Sequence, residues 1–271
     1  MITWNIFLII LFIIFIIILI LLQHYTKFIN ISFYVKKHGL KTGKNLFNFC
    51  YIFKEIFYDN DYNLNINLDN KIIFDIGMNM GIYDLWLNTH YKNIKVYGFE
   101  PIKELYDIAK YNINKMKNNN NLFILNNIGL SNKNGNEIIN YYPDANGIST
   151  IGNDIEYKIN QLPFLKRNIL KIISKNVKKE KIKLQKASTY IKNNNIKKID
   201  VCKIDVEGVE NDIIKGFEEY INIVDTFIIE VEKFKEKEYK EILSYLSNFI
   251  INDDNRDKWG MIIAKNKKFI K

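Results

Sequence analysis

Two carboxylates and a pair of glycines have the spacing of a ligand site. In Lys71-Ile-Ile-Phe-Asp-Ile-Gly-Met-Asn-Met-Gly81 an apolar run is followed by Asp75, then by Gly77 and Gly81. Glycines let the chain turn sharply and bring backbone N–H groups near a ligand. A helix starting after them, over Ile82 to His90, points its positive end at the same place. Asp75 is then positioned to hold a cationic or hydroxylated group. Glu100 ends the next alternating run, Ile94-Lys-Val-Tyr-Gly-Phe-Glu-Pro101, and lies 19 residues after Gly81. Nucleotide-binding α/β folds place a carboxylate for the ribose hydroxyls at a spacing of roughly 20 residues. A third cluster is Lys203-Ile-Asp-Val-Glu-Gly-Val-Glu210. A strand's period of two sets Lys203, Asp205 and Glu207 on one face. Their charges then converge at the strand's C-terminal tip, the edge at which open α/β sheets bind ligands. Glu207 and Glu210 have a second reading, as carboxylates capping the start of a helix.

These residues need strands that end together. Lys71 to Ile76, Ile94 to Glu100 and Leu122 to Ile128 read as strands, with helices over Ile82 to His90 and Ile102 to Lys117 between them. Alternation of this kind predicts a parallel sheet with right-handed crossovers. A short strand is expected over Asn136 to Tyr142. Regular structure resumes with Lys181 to Lys186, a helix near Ser188 to Asn194 and the strand Lys198 to Asp205. Then come a helix over Glu207 to Tyr220, the strand Val224 to Val231 and a helix over Lys235 to Ser247. Phe249 to Asn252 and Trp259 to Lys265 close the chain as a hairpin around the turn Asp253 to Lys258, antiparallel on a parallel sheet.

In this order, Phe74-Asp-Ile-Gly-Met-Asn-Met-Gly81, Gly98-Phe-Glu-Pro101, Ile128-Gly-Leu-Ser131, Lys203-Ile-Asp-Val-Glu-Gly-Val-Glu210 and Ile229-Glu-Val231 resemble the FkbM family of S-adenosylmethionine-dependent methyltransferases. The resemblance runs from about Lys71 to Val231. It implies a Rossmann-like α/β fold, the class I methyltransferase sheet, with seven mostly parallel strands and S-adenosylmethionine as methyl donor. In such folds Asp75, Gly77, Asn79 and Gly81 would line the methionine part, and Glu100 would take the ribose hydroxyls. The chain departs from the family pattern at Met78, usually Ala, and at Asp84, usually Ser or Thr. The resemblance also favours O-methylation of a glycan or related small molecule. Such a transfer is an in-line displacement that depends on holding the acceptor at roughly 3 to 3.5 Å from the methyl carbon. A neutral alcohol is a poor nucleophile, so a base or a divalent metal ion would help, and Asp205 with Glu207, beside Lys203, is the best-placed pair.

The first segment is of another kind. Ile6 to Leu22 is an unbroken apolar run of 17 residues, or 21 counted from Ile2, enough to cross a hydrocarbon core of roughly 30 Å. No basic stretch precedes it and no small-x-small site follows it, so an anchor is expected and not a cleaved signal peptide. Lys27, Lys36, Lys37, Lys41 and Lys44 follow the run, which places the larger domain on the cytosolic side of a single-pass topology. Cys50 and Cys202 are too far apart in sequence to suggest a disulfide framework, which fits a reducing compartment. The expected organisation is a transmembrane anchor over 1–27, a linker and docking helix over 28–69, and a methyltransferase domain over 70–271. A basic insertion occupies about 152–186, where ten Lys or Arg residues between Glu156 and Lys186 meet two acidic ones.

The net charge of +9 accompanies no basic stripe interleaved with aromatics, so nucleic acid is not expected as a partner; attraction to anionic headgroups is the simpler account. Two other classes stay open. A nucleotide-dependent oxidoreductase would use the same Glu100 but calls for a Gly-x-Gly-x-x-Gly turn, and Met78 to Met80 separates the two glycines here. A membrane-tethered binding module would keep the fold without the chemistry.

Overall fold

The computed structural model of the chain describes residues 2–116, 120–145, 147, 149–151, 155–162, 164–254 and 259–270, with the side chains of residues 2–11, 17, 20, 21, 24, 150, 151, 155, 164–166, 169 and 173 outside that description. The chain opens with α1 (Ile2–His38) and α2 (Leu46–Phe57). The alternating half follows: β1 (Ile72–Ile76), α3 (Ile82–His90), β2 (Lys95–Phe99), α4 (Lys103–Lys115) and β3 (Leu122–Asn126). Next come β4 (Gly129–Ser131), β5 (Gly135–Tyr141), β6 (Thr150–Ile151), α5 (Ile155–Asn160), α6 (Phe164–Ile173) and β7 (Lys178–Lys186). The last part holds α7 (Ala187–Asn193), β8 (Ile199–Ile204), α8 (Glu210–Phe217), β9 (Val224–Glu232), α9 (Glu236–Tyr245), β10 (Phe249–Asp253) and β11 (Trp259–Asn266).

Seven strands form the main sheet in the order β10-β11-β9-β8-β1-β2-β3. The five from β9 to β3 run parallel, and β11 is antiparallel to both β9 and β10. The parallel sheet and its antiparallel closing hairpin therefore match the sequence-based expectation, although the hairpin's turn at 255–258 lies outside the described residues. Alternation along the strands sorts the core into two layers. Phe74 and Ile76 of β1 pack with Phe99, Cys202, Ile204, Ile213, Phe217, Phe227 and Ile229. Ile73 faces the other way and joins Val96, Val201, Ile228 and the helix residues Phe49, Phe53, Tyr83 and Leu85. Burying one such side chain stabilises the fold by roughly 1.5–3 kcal/mol.

A second sheet, β4-β7-β5-β6, was not foreseen. Its strand β7 occupies the end of the stretch expected to be a basic insertion. Lys181 and Lys183 face solvent while Ile182 and Leu184 are buried, a period of two that the lysine content obscures. The strand pairs with β5 from Lys178 to Leu184, so the insertion is two helices, α5 and α6, followed by a strand.

The anchor expectation also changes. No helix among the described residues is long and apolar enough to cross a membrane, and most of the run from Ile2 to Leu22 lies outside the described side chains. Nor does the helix stop at Lys27. It continues to His38, where Ile31 and Val35 are buried in the same core as Phe49 and Phe53 of α2. Asn45 caps α2, its side-chain oxygen accepting from the N–H of Phe47 at 3.0 Å and of Asn48 at 3.2 Å.

Where α8 crosses β4, contact is so close that a Cβ on Gly216 would lie 2.0 Å from the carbonyl oxygen of Ser131. Gly216→Ala is expected to destabilise the chain by about 1–3 kcal/mol, as overpacking of a rigid contact does. The urea midpoint would show it, and an unchanged midpoint would mean that α8 and β4 part easily.

Candidate active site

The strand register assembles the site. Asp75 of β1 is paired with Gly98 of β2 on one side and Lys203 of β8 on the other. On the following rungs Ile204 is opposite Ile229 of β9. One residue further, past the end of β1 and β8, Glu100, Gly77, Asp205 and Glu230 stand in a row across the tips of the parallel strands. Asp205 is tied there by its N–H to the Ile76 carbonyl at 3.0 Å, and Glu100 by its N–H to the Asn126 carbonyl at 3.1 Å.

Lys203 is the centre of charge in this row. Its buried ammonium lies 3.0 Å from Asp75 Oδ1, 3.3 Å from the Gly77 carbonyl and 3.4 Å from Asp205 Oδ2. It also sits 5.0 Å from the Tyr62 ring and 5.8 Å from the Tyr83 ring. Burial alone would lower the lysine, but the charges of Asp75 and Asp205 more than offset this and hold it above the usual lysine range. Burial pushes Asp75 up, with Lys203 pulling against it. Asp84 in the first turn of α3 is fully buried and is pushed well above the carboxylate range by burial and by the charge of Asp75. It caps nothing, since the helix begins at Gly81 without a side-chain cap. Burial and the neighbouring charge thus favour the protonated form of Asp84, and neither of its oxygens nor the second oxygen of Asp75 has a hydrogen-bond partner among the described residues. Protonation of Asp84 removes the repulsion that a charged residue in the place of Ser or Thr would bring to an anionic ligand.

Glu100 is held differently. Its Oε2 accepts from the Asn79 N–H at 3.0 Å and its Oε1 from the Ile102 N–H at 2.8 Å. Burial pushes it up to about 7 while these two backbone donors pull it down. Each oxygen keeps a lone pair for a further donor.

The glycine turn serves packing more than ligand capture. Gly77 has φ +82° and a Cβ there would fall 1.8 Å from the Asp205 carbonyl oxygen, so glycine is required by the approach of the β8 loop. Gly81, at φ +77°, would press a Cβ against Ala109 of α4 at 3.0 Å. The loop's N–H groups are already used. Those of Gly77 and Met78 go to the Phe99 carbonyl, that of Asn79 to Glu100, that of Met80 to the Asn79 side chain and that of Gly81 to the Met78 carbonyl.

Glu207 is not brought onto the face of Lys203 and Asp205. β8 ends at Ile204 and Glu207 takes a left-handed conformation at φ +60°, which breaks the period of two. Its carbonyl accepts from the buried ammonium of Lys158 at 2.5 Å, and the same ammonium pairs with Glu232 at 2.8 Å. Burial pushes the Glu207 carboxyl well up, against the pull of Lys158. The insertion's helix α5 is thereby pinned on the loop after β8.

Two further groups complete the row: Tyr62, not singled out in the sequence, and Glu230, quoted there only within Ile229-Glu-Val231. The buried hydroxyl of Tyr62 lies 2.9 Å from Asp205 Oδ2 and 3.2 Å from Glu230 Oε2. Burial, with the charges of Asp205 and Glu55, pushes Glu230 up to about 8. An acid inside the apolar strand Val224–Glu232 was a signal for Glu230; Tyr62, in an Asn- and Asp-rich connection, carried none.

Ligand space is small. A cavity of about 50 Å³ lies between the strand tips and the second sheet, lined by Gly77, Phe99, Pro101, Gly129, Leu130 and Val206 among others. Ligand pockets run to roughly 300 Å³ and more, so a nucleoside must part these walls to enter fully. The lining is apolar, and Phe99 and Pro101 within it flank Glu100 in the chain. No group of three or more His, Cys, Asp or Glu side chains among the described residues is arranged to hold a metal ion.

A seven-stranded sheet of this order, with a glycine turn after β1 and a carboxylate ending β2, defines a protein of the class I methyltransferase type. The chain belongs to the FkbM family: the Methyltransferase FkbM domain matches residues 75–254. It is similar to "Methyltransferase sdnD" of Sordaria araneosa, 27% identical over 191 residues, 66% of this chain and 73% of that one. "Methyltransferase 1" of Beauveria bassiana is 26% identical over 185 residues, 67% of this chain and 72% of that one. Among solved structures, methyltransferase FkbM of Methylobacillus flagellatus superposes with a TM-score of 0.48 at 11% identity. That superposition covers 78% of this chain and 47% of the other, so the chain spans about half the length of that protein.

Removing the central cation tests the electrostatics. Lys203→Met leaves Asp75 and Asp205 facing a buried apolar group, and a loss of about 3–5 kcal/mol is expected at pH 7. The sign of the pH dependence follows from the shifts. Lysine with a raised value keeps its stabilising charge in both states over roughly pH 5 to 9. The variation therefore comes from Asp75, which takes up a proton more readily without Lys203 lowering it, so the penalty shrinks as pH falls. Denaturant titrations at several pH values measure it, and a penalty that grows toward acid would contradict the arrangement.

Proposed function

We propose that this protein transfers a methyl group from S-adenosylmethionine to a hydroxyl of a glycan or related small molecule, near a membrane. The observation that carries this reading is the row Glu100, Gly77, Asp205 and Glu230 across the tips of four parallel strands, the edge where open α/β sheets bind ligands. Glu100 is oriented by two backbone donors to accept from ribose hydroxyls, and Pro101, Gly129 and Leu130 provide the apolar wall beside it. Asp75, with one oxygen on Lys203 and a neutral Asp84 beside it, is suited to the methionine end. The bound sulfonium supplies the methyl group as an electrophile. The protein's own part is to hold the acceptor close and take its proton, and Asp205 is the base in this reading. Its side chain is 28% exposed, open to an incoming molecule, while Lys203 fixes one of its oxygens.

The same row would serve an oxidoreductase, but the turn between Gly77 and Gly81 lacks the intermediate glycine that a dinucleotide's pyrophosphate needs. The membrane setting is supported by Phe12, Ile13, Phe15, Ile18, Leu19 and Leu22, all exposed along α1, and by the lysines that follow. Flotation of the full chain with vesicles containing anionic lipid is the check, and a protein that stays in the soluble fraction would remove the membrane from the proposal.

Calorimetry is expected to show binding of S-adenosylmethionine and not of NAD. Glu100→Ala should weaken it by roughly 1.5–3 kcal/mol, the value of charge-assisted hydrogen bonds. The ionised form is the better acceptor and burial raises Glu100 to about 7, so affinity should climb with pH through that value. Affinity independent of pH from 6 to 8, or unaltered in the variant, would detach Glu100 from the ribose. Asp205→Asn should keep donor affinity and lower transfer by about 10²- to 10⁴-fold, measured with radiolabelled donor and membrane glycan extract.

A further inference from the structure

Tyr62 lies ahead of β1, outside the matched family region of residues 75–254, yet its hydroxyl lies between two carboxylates of the strand-tip row. The distances are 2.9 Å to Asp205 Oδ2 and 3.2 Å to Glu230 Oε2. A phenol has one proton and can give it to only one of them at a time. Asp205 has the cation Lys203 at 3.4 Å, whereas Glu230 has the phenol as its nearest described donor. The ring is fixed by burial, by edge contact with Tyr83 at 5.5 Å between centroids and by the ammonium of Lys203 over its face. The hydroxyl is therefore held in one place and its proton has two acceptors.

We propose that Asp205, Tyr62 and Glu230 form a proton path, in which Asp205 takes the acceptor's proton and passes it through the Tyr62 hydroxyl to Glu230. The path rests on the methyl-transfer reading above, with Asp205 as the base. The acceptor oxygen forms its new bond to carbon with a lone pair, the electron pair of the broken C–S bond stays on sulfur, and the acceptor's proton leaves on Asp205. Asp205 then gives a proton to the Tyr62 oxygen as Tyr62 gives its own to Glu230, and Glu230 releases it to solvent. Nothing is oxidised or reduced, and Asp205 returns to its anionic, lysine-paired form. Tyr62 stays a neutral phenol in each resting state, since burial and the two nearby carboxylates push it well above the usual phenol range. Tyr62 and Glu230 are positioning and relay residues in this scheme.

The groups that face Glu230 set its ionisation. Asp205 at the end of β8 and Glu55 on α2 raise it, Lys203 on β8 and the Tyr62 hydroxyl lower it, and Tyr51 on α2 and Glu207 after β8 lie within its field. With the balance at about 8, Glu230 can accept a proton only as pH approaches that value. Transfer should rise with pH up to about 8 for this reason, and Glu230→Gln should flatten that limb.

Two readouts on the full chain test the path. The first needs no acceptor: carboxyl infrared difference spectra against pH, with Glu230→Gln identifying the band. Tyr62→Phe should move the Glu230 midpoint upward, because the hydroxyl favours the carboxylate, and Asp205→Asn should move it downward. A midpoint unmoved in Tyr62→Phe overturns the path whether or not an acceptor is known. The second is transfer itself. Tyr62→Phe and Glu230→Gln should each lose about 10²-fold in turnover, with donor affinity retained and the double variant no worse than either single one. If the unaltered chain transfers and both variants match it, the path fails while the methyl-transfer reading stands. If Asp205→Asn also transfers normally, the base assignment beneath it fails as well. A Tyr62→Phe variant that loses donor binding would make Tyr62 a structural residue, and the path would fall.

Discussion

A fully buried ammonium flanked by carboxylates is the constraint on which the strand tips depend. Lys203 cannot reach water, so it is tolerable only with Asp75 and Asp205 beside it. Asp75 is equally unable to stand alone, being buried itself. The pairing locks β1 to β8 at one register and leaves Asp205 on the next rung of the same face. The parallel register then does the rest: Glu230 follows Ile229, the partner of Ile204, and Glu100 follows Phe99, the partner of Ile76, so both come to the edge of Asp205 and Gly77. A shift of one residue in either strand would turn the charges into the aromatic layer formed by Phe74, Phe99 and Phe227.

The glycines follow from the same crowding. Drawing the loop after β8 close enough for Asp205 to bond the Ile76 carbonyl brings its own carbonyl into the space of a Cβ at Gly77. The glycine turn is thus part of the electrostatic arrangement before any ligand arrives. Its N–H groups are committed within the chain, to Phe99, Glu100, Asn79 and Met78. α5 is held over the loop after β8 by the buried pair of Lys158 and Glu232. Polar groups of a ligand at this turn have to exchange with some of these internal hydrogen bonds.

Much of this was legible before the structure. The alternation of apolar runs and helices gave the parallel half of the sheet, and the closing hairpin showed in the two β-branched runs around Asp253. Asp75, Glu100 and Asp205 stood out because an acid ending an apolar strand is costly unless it is used or paired. What escaped notice did so for physical reasons. The alternation in β7 was hidden because its exposed face is almost all lysine, which resembles a solvated helix. Glu207 was assigned to the face of Asp205 because nothing local announces that β8 ends at Ile204 and the chain turns left-handed. Tyr62 depends on tertiary contact over more than a hundred residues, to Asp205 and Glu230, and no local pattern encodes that. The continuity of α1 past Lys27 was masked by the change from apolar to mixed residues, although Ile31 and Val35 keep the helical spacing of a buried face.

The central claim is that the edge formed by the loops after β1, β2 and β8 receives a sulfonium nucleoside. Amide hydrogen exchange of the full chain, with and without saturating S-adenosylhomocysteine, addresses it most directly. Slowed exchange is expected at residues 77–81, 100–103 and 205–208, with the distant strands β10 and β11 unchanged. Equal exchange at all three loops, or protection confined to another part of the chain, would contradict the placement of the donor site.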